Sequence, residues 1–118
     1  MKKKILVIED DQAIVEVVTI ILESEGYDVS VATQITTIDK QLQEDPPHLM
    51  LLDIWLGGHD GGKLAKRLKN TPETKHIPII IMSASNEAKE IARTAGVDGV
   101  LLKPFTIEDL LQLVKQYT

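Results

Sequence analysis

Five short apolar segments along the chain predict β-strands. They are at most six residues long, and several are continuous runs of Ile, Leu, Val and Met, a pattern typical of strands covered on both faces. The predicted strands are residues 5–8, 29–32, 48–53, 77–82 and 100–102.

Between and after these strands, apolar residues recur three and four positions apart, which predicts helices. The clearest stripe consists of Ile14, Val17, Val18, Ile21 and Leu22, with Asp11 before it as N-cap and Gly26 after it as a C-terminal cap. Further helices are expected at residues 35–44, 63–70, 88–95 and 107–114, the last with Thr106 as N-cap and Asp109 three residues on. A loop containing Gly57, Gly58, Gly61 and Gly62 is expected before the third helix.

The regular alternation of strand and helix predicts an α/β fold with one parallel sheet and helices on both faces. Right-handed crossovers leave few topologies. We expect one doubly wound, five-stranded domain over residues 1–118, with the flavodoxin-like (βα)5 strand order 2-1-3-4-5.

Composition excludes several functions. The chain has no cysteine, which excludes disulfides, Cys-ligated zinc and thiol catalysis. Its net charge of −5 argues against direct nucleic acid binding. No apolar stretch approaches the ~20 residues that span a membrane, and the apolar run after Lys2-Lys3-Lys4 is too short for a signal peptide. We therefore expect a cytoplasmic protein without a membrane partner.

Polar residues stand where the predicted strands end. Glu9 and Asp10 follow the first strand, Asp53 ends the third, Ser83 follows the fourth and Lys103 follows the fifth. The carboxyl ends of parallel strands share one edge, where open α/β folds bind ligands. Because the first and third strands are neighbours in the expected order, the three carboxylates should converge there.

Such a group favours cation binding. Two carboxylates ~5 Å apart repel by ~3 kcal/mol at an effective dielectric constant near 20, so either a pKa rises or a cation binds. Oxygen ligands without a nearby His or Cys favour Mg²⁺ or Mn²⁺. Aspartate can act as a nucleophile that forms aspartyl phosphate, and the metal, Lys103, Ser83 and backbone N–H groups would stabilise the phosphoryl oxygens.

Five short motifs carry these residues: Val7-Ile8-Glu9-Asp10-Asp11, Leu51-Leu52-Asp53, Asp60-Gly61, Met82-Ser83-Ala84 and Lys103-Pro104-Phe105. At this spacing the chain resembles, over essentially its whole length, the receiver domain of bacterial response regulators, which belongs to the CheY-like superfamily of two-component signalling. Each motif alone is weak, whereas the combination is highly specific.

The resemblance implies a role for each matching position. Asp53 would be the phosphoacceptor. The metal ligands would be Asp10, Asp53, the backbone carbonyl of Trp55 and, through water, Glu9. The phosphate-binding groups would be Ser83, the backbone of Ala84 and Lys103, and the Lys103–Pro104 peptide would be cis.

The resemblance also implies a signalling phosphoacceptor that catalyses only its own phosphorylation and dephosphorylation. It would receive phosphate from a sensor histidine kinase or a phosphotransfer protein. A conformational change would relay the signal to a downstream protein or an attached output domain. Phosphorylation-dependent homodimerisation through the fourth helix, fifth strand and fifth helix is a further hypothesis.

Two features depart from the family pattern, and a third position is one that varies within the family. Leu56-Gly57 replaces the frequent Met-Pro. The family switch pairs the residue at Ser83 with an aromatic residue that is here Val100, which argues against coupling by rotation of an aromatic ring. Trp55 stands two positions after the phosphoacceptor, where it would either shield the phosphoryl group from water or contact a partner.

Other functions on a similar fold fit less well. A haloacid dehalogenase-type phosphohydrolase needs a second aspartate at the position of Trp55. A flavodoxin-type FMN carrier needs a phosphate-binding loop after the first strand, where Glu9-Asp10-Asp11 would repel the phosphate. A phosphate-independent interaction module remains the main alternative.

Overall fold

A five-stranded parallel sheet forms the centre of the protein. The structure, a computed structural model, describes residues 2–56 and 58–118. The strands of this sheet are β1 (Lys4–Ile8), β2 (Asp28–Ala32), β3 (Leu49–Asp53), β4 (Ile79–Ser83) and β5 (Gly99–Leu102). Their spatial order is β2-β1-β3-β4-β5, which confirms the predicted topology.

Within residues 2–56 and 58–118, five helices follow the strands. They are α1 (Gln12–Ser24), α2 (Ile38–Glu44), α3 (Gly61–Lys69), α4 (Ala88–Ala95) and α5 (Ile107–Tyr117). A 3-10 turn at Ile35–Thr37 occupies the start of the second predicted helix. None of the described helices combines the length and the apolar character that a membrane span requires.

The segment between β3 and α3 differs from the predicted glycine loop. Trp55–Leu56 pairs with His59–Asp60 in a short antiparallel hairpin. The helix then begins at Gly61, so Gly61 and Gly62 belong to its first turn and not to a loop. Gly57 lies outside the described residues.

The helix ends confirm the predicted caps. Asp11 accepts hydrogen bonds from the N–H groups of Ala13 and Ile14 at 3.0 and 3.4 Å. Thr106 and Asp109 form a reciprocal capping box at the start of α5. Beyond α1, Gly26 has a φ of 89°, a conformation that residues with a Cβ rarely adopt.

The core has two layers, one on each face of the sheet. Helices α1 and α5 cover one face through Val18, Leu22, Leu110 and Val114. Helices α2, α3 and α4 cover the other face with residues that include Leu42, Leu64, Leu68, Ala88 and Ala92. Val17, predicted on the buried stripe of α1, is 54% exposed, because the buried face is centred on Val15, Val18 and Leu22.

Candidate functional site

Three strands place charged residues on the same face of the sheet. The last core residues facing α1 and α5 are Val7 on β1, Leu51 on β3 and Leu101 on β5. Glu9, Asp53 and Lys103 each follow two positions later. Asp53 ends β3 and continues this face because side chains alternate along a strand. Glu9 and Lys103 directly follow their strands, and their N–H groups extend the backbone pairing to the carbonyls of Ala32 and Ser83 at 3.1 and 2.8 Å.

An acidic cluster lies at this end of the sheet. Carboxylate oxygens of Glu9, Asp10 and Asp53 all lie within 4.8 Å of one another. Glu9 is 1% exposed and Asp53 is 9% exposed, whereas Asp10 is exposed. The cluster therefore has a buried floor and a side open to solvent, which suits a small ligand that enters from water.

Lys103 is the cation that contacts two of these carboxylates. Its Nζ lies 3.3 Å from Glu9 Oε1 and 3.4 Å from Asp53 Oδ1. One ammonium group against the two carboxylates that it contacts leaves an excess of negative charge when both are ionised. Such an excess raises a carboxyl pKa or attracts a further cation.

The pKa of the Glu9 carboxyl is raised in the folded protein. Burial raises the pKa of the Glu9 carboxyl to about 7, and the neighbouring Asp53 contributes to the rise, while Lys103 opposes both effects. Glu9 Oε2 is buried and has no hydrogen-bond partner among the described residues. A buried carboxylate oxygen without a partner fits a water molecule or a cation as its neighbour.

The donor set therefore fits a hard divalent cation. All three side chains offer oxygen, and no other described group of His, Asp or Glu residues comes together in this way. Oxygen-only sites select Mg²⁺ and similar metals. The residues at this edge of the sheet are consistent with the expected metal.

Ser83 lies at the end of β4, opposite Leu102 in the sheet register. Its side chain is buried, and its Oγ accepts a hydrogen bond from the N–H of Ser85 at 2.9 Å. The N–H of Lys103 donates to the Ser83 carbonyl at 2.8 Å, so the two residues share one corner of the site. The sequence did not predict this hydrogen bond from Ser85, because two serines separated by one residue are only a weak signal for it.

Of the remaining expected site residues, Ala84 and Pro104 adjoin this corner, whereas Val100 lies deeper in the sheet. Ala84 is exposed directly after β4, and the Lys103–Pro104 peptide is cis. Val100 pairs with Ile81 in the sheet and is half-buried against the α2, α3 and α4 layer. Ser83 instead lies opposite Leu102, so Val100 is two positions further from the end of the sheet than the partner of Ser83.

Trp55 belongs to the hairpin that follows β3. Its backbone pairs with Asp60, and its side chain is 60% exposed. The indole borders a groove between α3 and α4, together with Lys66 and Ile91. An exposed aromatic side chain beside this groove fits the hypothesis of partner contact.

Comparison with known proteins identifies the family. Residues 5–115 match the family described as "Response regulator receiver domain". The phosphate regulon transcriptional regulatory protein PhoB of Rhizobium meliloti (strain 1021) is 37% identical over 117 residues, which are 98% of this chain and 52% of that protein. PhoB of Escherichia coli (strain K12) is 34% identical, over 98% of this chain and 51% of its own length. The chain thus spans about half the length of these relatives.

A solved structure gives the same result. The crystal structure of a response regulator from Chloroflexus aurantiacus J-10-fl superposes with a TM-score of 0.93 at 29% identity. The match covers 99% of this chain and 98% of that one. The strand order, the family match and these relatives agree, and the chain belongs to the response regulator receiver domains of two-component systems.

Proposed function

We propose that the protein accepts a phosphoryl group on Asp53 in a reaction that depends on Mg²⁺ or Mn²⁺. One observation carries the proposal: Lys103 Nζ lies 3.4 Å from Asp53 Oδ1, inside the acidic cluster of Glu9, Asp10 and Asp53. A carboxylate with a neighbouring ammonium group and a cation-binding cluster has the parts that phosphoryl transfer requires.

Asp10, Asp53, the backbone carbonyl of Trp55 and, through water, Glu9 would hold the metal. When bound, a divalent cation supplies positive charge to the phosphoryl oxygens. Glu9 and Asp10 are therefore binding residues, and Asp53 alone has the additional role of nucleophile.

The phosphoryl donor would be a phosphohistidine on a sensor histidine kinase or a phosphotransfer protein. A carboxylate oxygen of Asp53 attacks phosphorus, a P–O bond forms, and the P–N bond to the imidazole breaks. The leaving nitrogen keeps the electron pair of the broken bond and takes a proton from solvent. Lys103, the Ser83 hydroxyl and the Ala84 N–H stabilise the charge on the three phosphoryl oxygens.

Hydrolysis of the acyl phosphate would return the domain to its starting state. The protein is thus a signalling phosphoacceptor whose catalysis is limited to its own phosphorylation and dephosphorylation. It would act in the cytoplasm, and its signal would reach a downstream protein or an attached output domain. The receiver domain itself would not contact nucleic acid, although PhoB is named a transcriptional regulator. Phosphorylation would favour a homodimer through α4, β5 and α5.

The test uses Trp55, the only tryptophan in the chain, as a fluorescent reporter. Mg²⁺ is titrated first, and beryllofluoride, a phosphoryl mimic, is added afterwards. A saturable response to Mg²⁺ and a second change that Asp53→Asn abolishes would support the proposal. If neither fluorescence nor calorimetry detects binding, the proposal fails and a phosphate-independent interaction module becomes the better interpretation.

A further inference from the structure

The first residue of α3 lies against the backbone that leaves β3. A Cβ atom built on Gly61 would be 2.3 Å from the carbonyl oxygen of Asp53 and 2.6 Å from that of Ile54. Contacts this short with backbone atoms cannot be relieved by rotating a side chain. The Gly61 N–H also donates to the Ile54 carbonyl at 2.5 Å.

The backbone angle of Gly61 does not explain the glycine. The described glycines with positive φ are Gly26, Gly58 and Gly96, and Gly61 is not among them. At an ordinary helical position, alanine is more favourable than glycine. Close approach of the two backbone segments is therefore the reason that this position excludes a side chain.

The backbone that Gly61 contacts belongs to the proposed metal site. Asp53 supplies a carboxylate and Trp55 supplies a carbonyl, and Ile54 joins them. The Ile54 N–H donates to the Met82 carbonyl at 3.2 Å, and Ile54 is fully buried. This segment is thus held between β4 on one side and the first turn of α3 on the other.

We propose that Gly61 is a positioning residue for the divalent cation, an inference that rests on the proposed function. Because Gly61 has no side chain, α3 approaches closely enough to fix the positions of the Trp55 carbonyl and the Asp53 carboxylate. A methyl group at this position displaces the backbone of residues 53–55. Residues 53–55 would then hold a bound cation less well, and Gly61 would act through them without being a ligand itself.

Gly62 offers a matched control in the same helical turn. A Cβ atom on Gly62 would meet Ile91 Cγ2 at 2.8 Å and Asp60 Oδ1 at 3.1 Å, so the atoms nearest to it do not belong to the backbone of residues 53–54. Both glycines are buried. Gly62→Ala therefore strains mainly the packing of α3 on α4, because Ile91 is the shorter contact and the Asp60 oxygen at 3.1 Å needs to move by only a few tenths of an ångström. Gly61→Ala instead strains the backbone that carries Asp53.

The experiment measures Mg²⁺ affinity by calorimetry on the whole chain, with thermal unfolding of each metal-free variant. Gly61→Ala should weaken Mg²⁺ binding by ~10-fold or more, as expected when a group that orients a ligand is disturbed. Gly62→Ala should lower the melting temperature and keep the affinity of the unmodified chain. Unchanged affinity in Gly61→Ala, or equal losses in both variants, would overturn the inference. Absence of Mg²⁺ binding by the unmodified chain would instead overturn the proposed function.

A second pair of variants applies if Gly61→Ala does not fold. Asp60 caps α3 by accepting from the N–H groups of Gly62 and Lys63 at 2.8 and 3.3 Å. Asp60→Ala loosens the first turn that presents Gly61, and should weaken Mg²⁺ binding severalfold. Asn remains a good N-cap, so Asp60→Asn should retain the affinity. Equal affinities in the two variants, or equal losses, would contradict the inference.

Discussion

Lys103 Nζ lies 3.4 Å from Asp53 Oδ1, although the two residues are 50 positions apart in the chain. The sheet brings them together because β3 and β5 end at the same edge, on either side of β4. The same ammonium group contacts Glu9 Oε1 at 3.3 Å. Lys103 therefore contacts the proposed nucleophile and compensates part of the negative charge of the acidic cluster.

Replacement of Lys103 tests whether its charge serves the phosphoryl group. We expect Lys103→Met to slow phosphorylation of Asp53 by ~100-fold, because an ionic partner of the transferring group is lost. Mg²⁺ affinity should not fall, since a competing cation has been removed. Phosphorylation is followed by mass spectrometry with acetyl phosphate as donor.

Lys115 supplies the control for that experiment. It is 57% exposed, lies in the last turn of α5 and pairs at 3.5 Å with Glu25 at the end of α1. Both helices begin at the site's edge of the sheet, so their ends point away from the site. Lys115→Met removes the same charge and should leave the rate unchanged. A phosphorylation rate in Lys103→Met equal to that of Lys115→Met would contradict the assigned role.

Substitutions of two adjacent acidic residues should affect different properties of the protein. Asp11 caps α1, so Asp11→Ala should lower the free energy of unfolding by ~1 kcal/mol and retain Mg²⁺ binding. Asp10 belongs to the acidic cluster, so Asp10→Asn should weaken Mg²⁺ binding by ~10-fold or more. Denaturant unfolding and calorimetry separate the two effects. Loss of Mg²⁺ binding in Asp11→Ala alone would show that the roles are reversed.

The raised pKa of Glu9 predicts a pH dependence of stability. The pKa of this carboxyl rises from its ordinary value of 4.5 to about 7 in the folded protein, first because of burial and then because of Asp53. At pH values between 4.5 and about 7, Glu9 is mostly protonated in the folded chain and mostly ionised in the unfolded chain. This stabilisation is present at low pH and is lost as the pH rises through the folded pKa.

The free energy of unfolding of the metal-free protein should therefore fall by roughly 1–3 kcal/mol as the pH rises from about 5 to about 8. Glu9→Gln carries no titratable group at this position and should flatten the profile. Urea unfolding at several pH values, without divalent cations, measures both proteins. Parallel profiles would mean that Glu9 does not titrate in this range.

Substitution of Trp55 tests whether the indole lengthens the lifetime of the proposed acyl phosphate. If the indole shields the phosphoryl group, Trp55→Ala should lose phosphate severalfold faster than the unmodified chain. Trp55→Phe keeps an aromatic ring and should restore most of the lifetime. The decay is followed as release of inorganic phosphate after the donor is removed. An unchanged decay rate in Trp55→Ala would leave the partner-contact hypothesis as the explanation for this exposed side chain.

Most of the fold could be predicted from local sequence patterns. The apolar runs indicated all five strands, and caps such as Asp11 and Thr106 marked helix starts that the structure confirms. Helical spacing alone did not separate Val17 from Val18, because both are apolar and only the packing of α1 on the sheet decides which one is buried.

The convergence of Glu9, Asp10 and Asp53 was also predictable, because it depends only on strand order. The depth of burial of Glu9 was not, since it depends on how α1 and the neighbouring strands close around the cluster. The close approach of Gly61 to the Asp53 backbone could not be predicted from the sequence either. Sequence shows a glycine but not the carbonyl oxygens that exclude a side chain from it.

Acceptance of the phosphoryl group by Asp53 is the central claim. The most direct measurement is mass spectrometry of the protein after incubation with acetyl phosphate and Mg²⁺, followed by borohydride reduction to locate the acyl phosphate. We predict one phosphoryl group per chain, located at Asp53, absent without Mg²⁺ and absent in Asp53→Asn. An adduct that persists in Asp53→Asn, or no adduct on a chain that binds Mg²⁺, would contradict the claim.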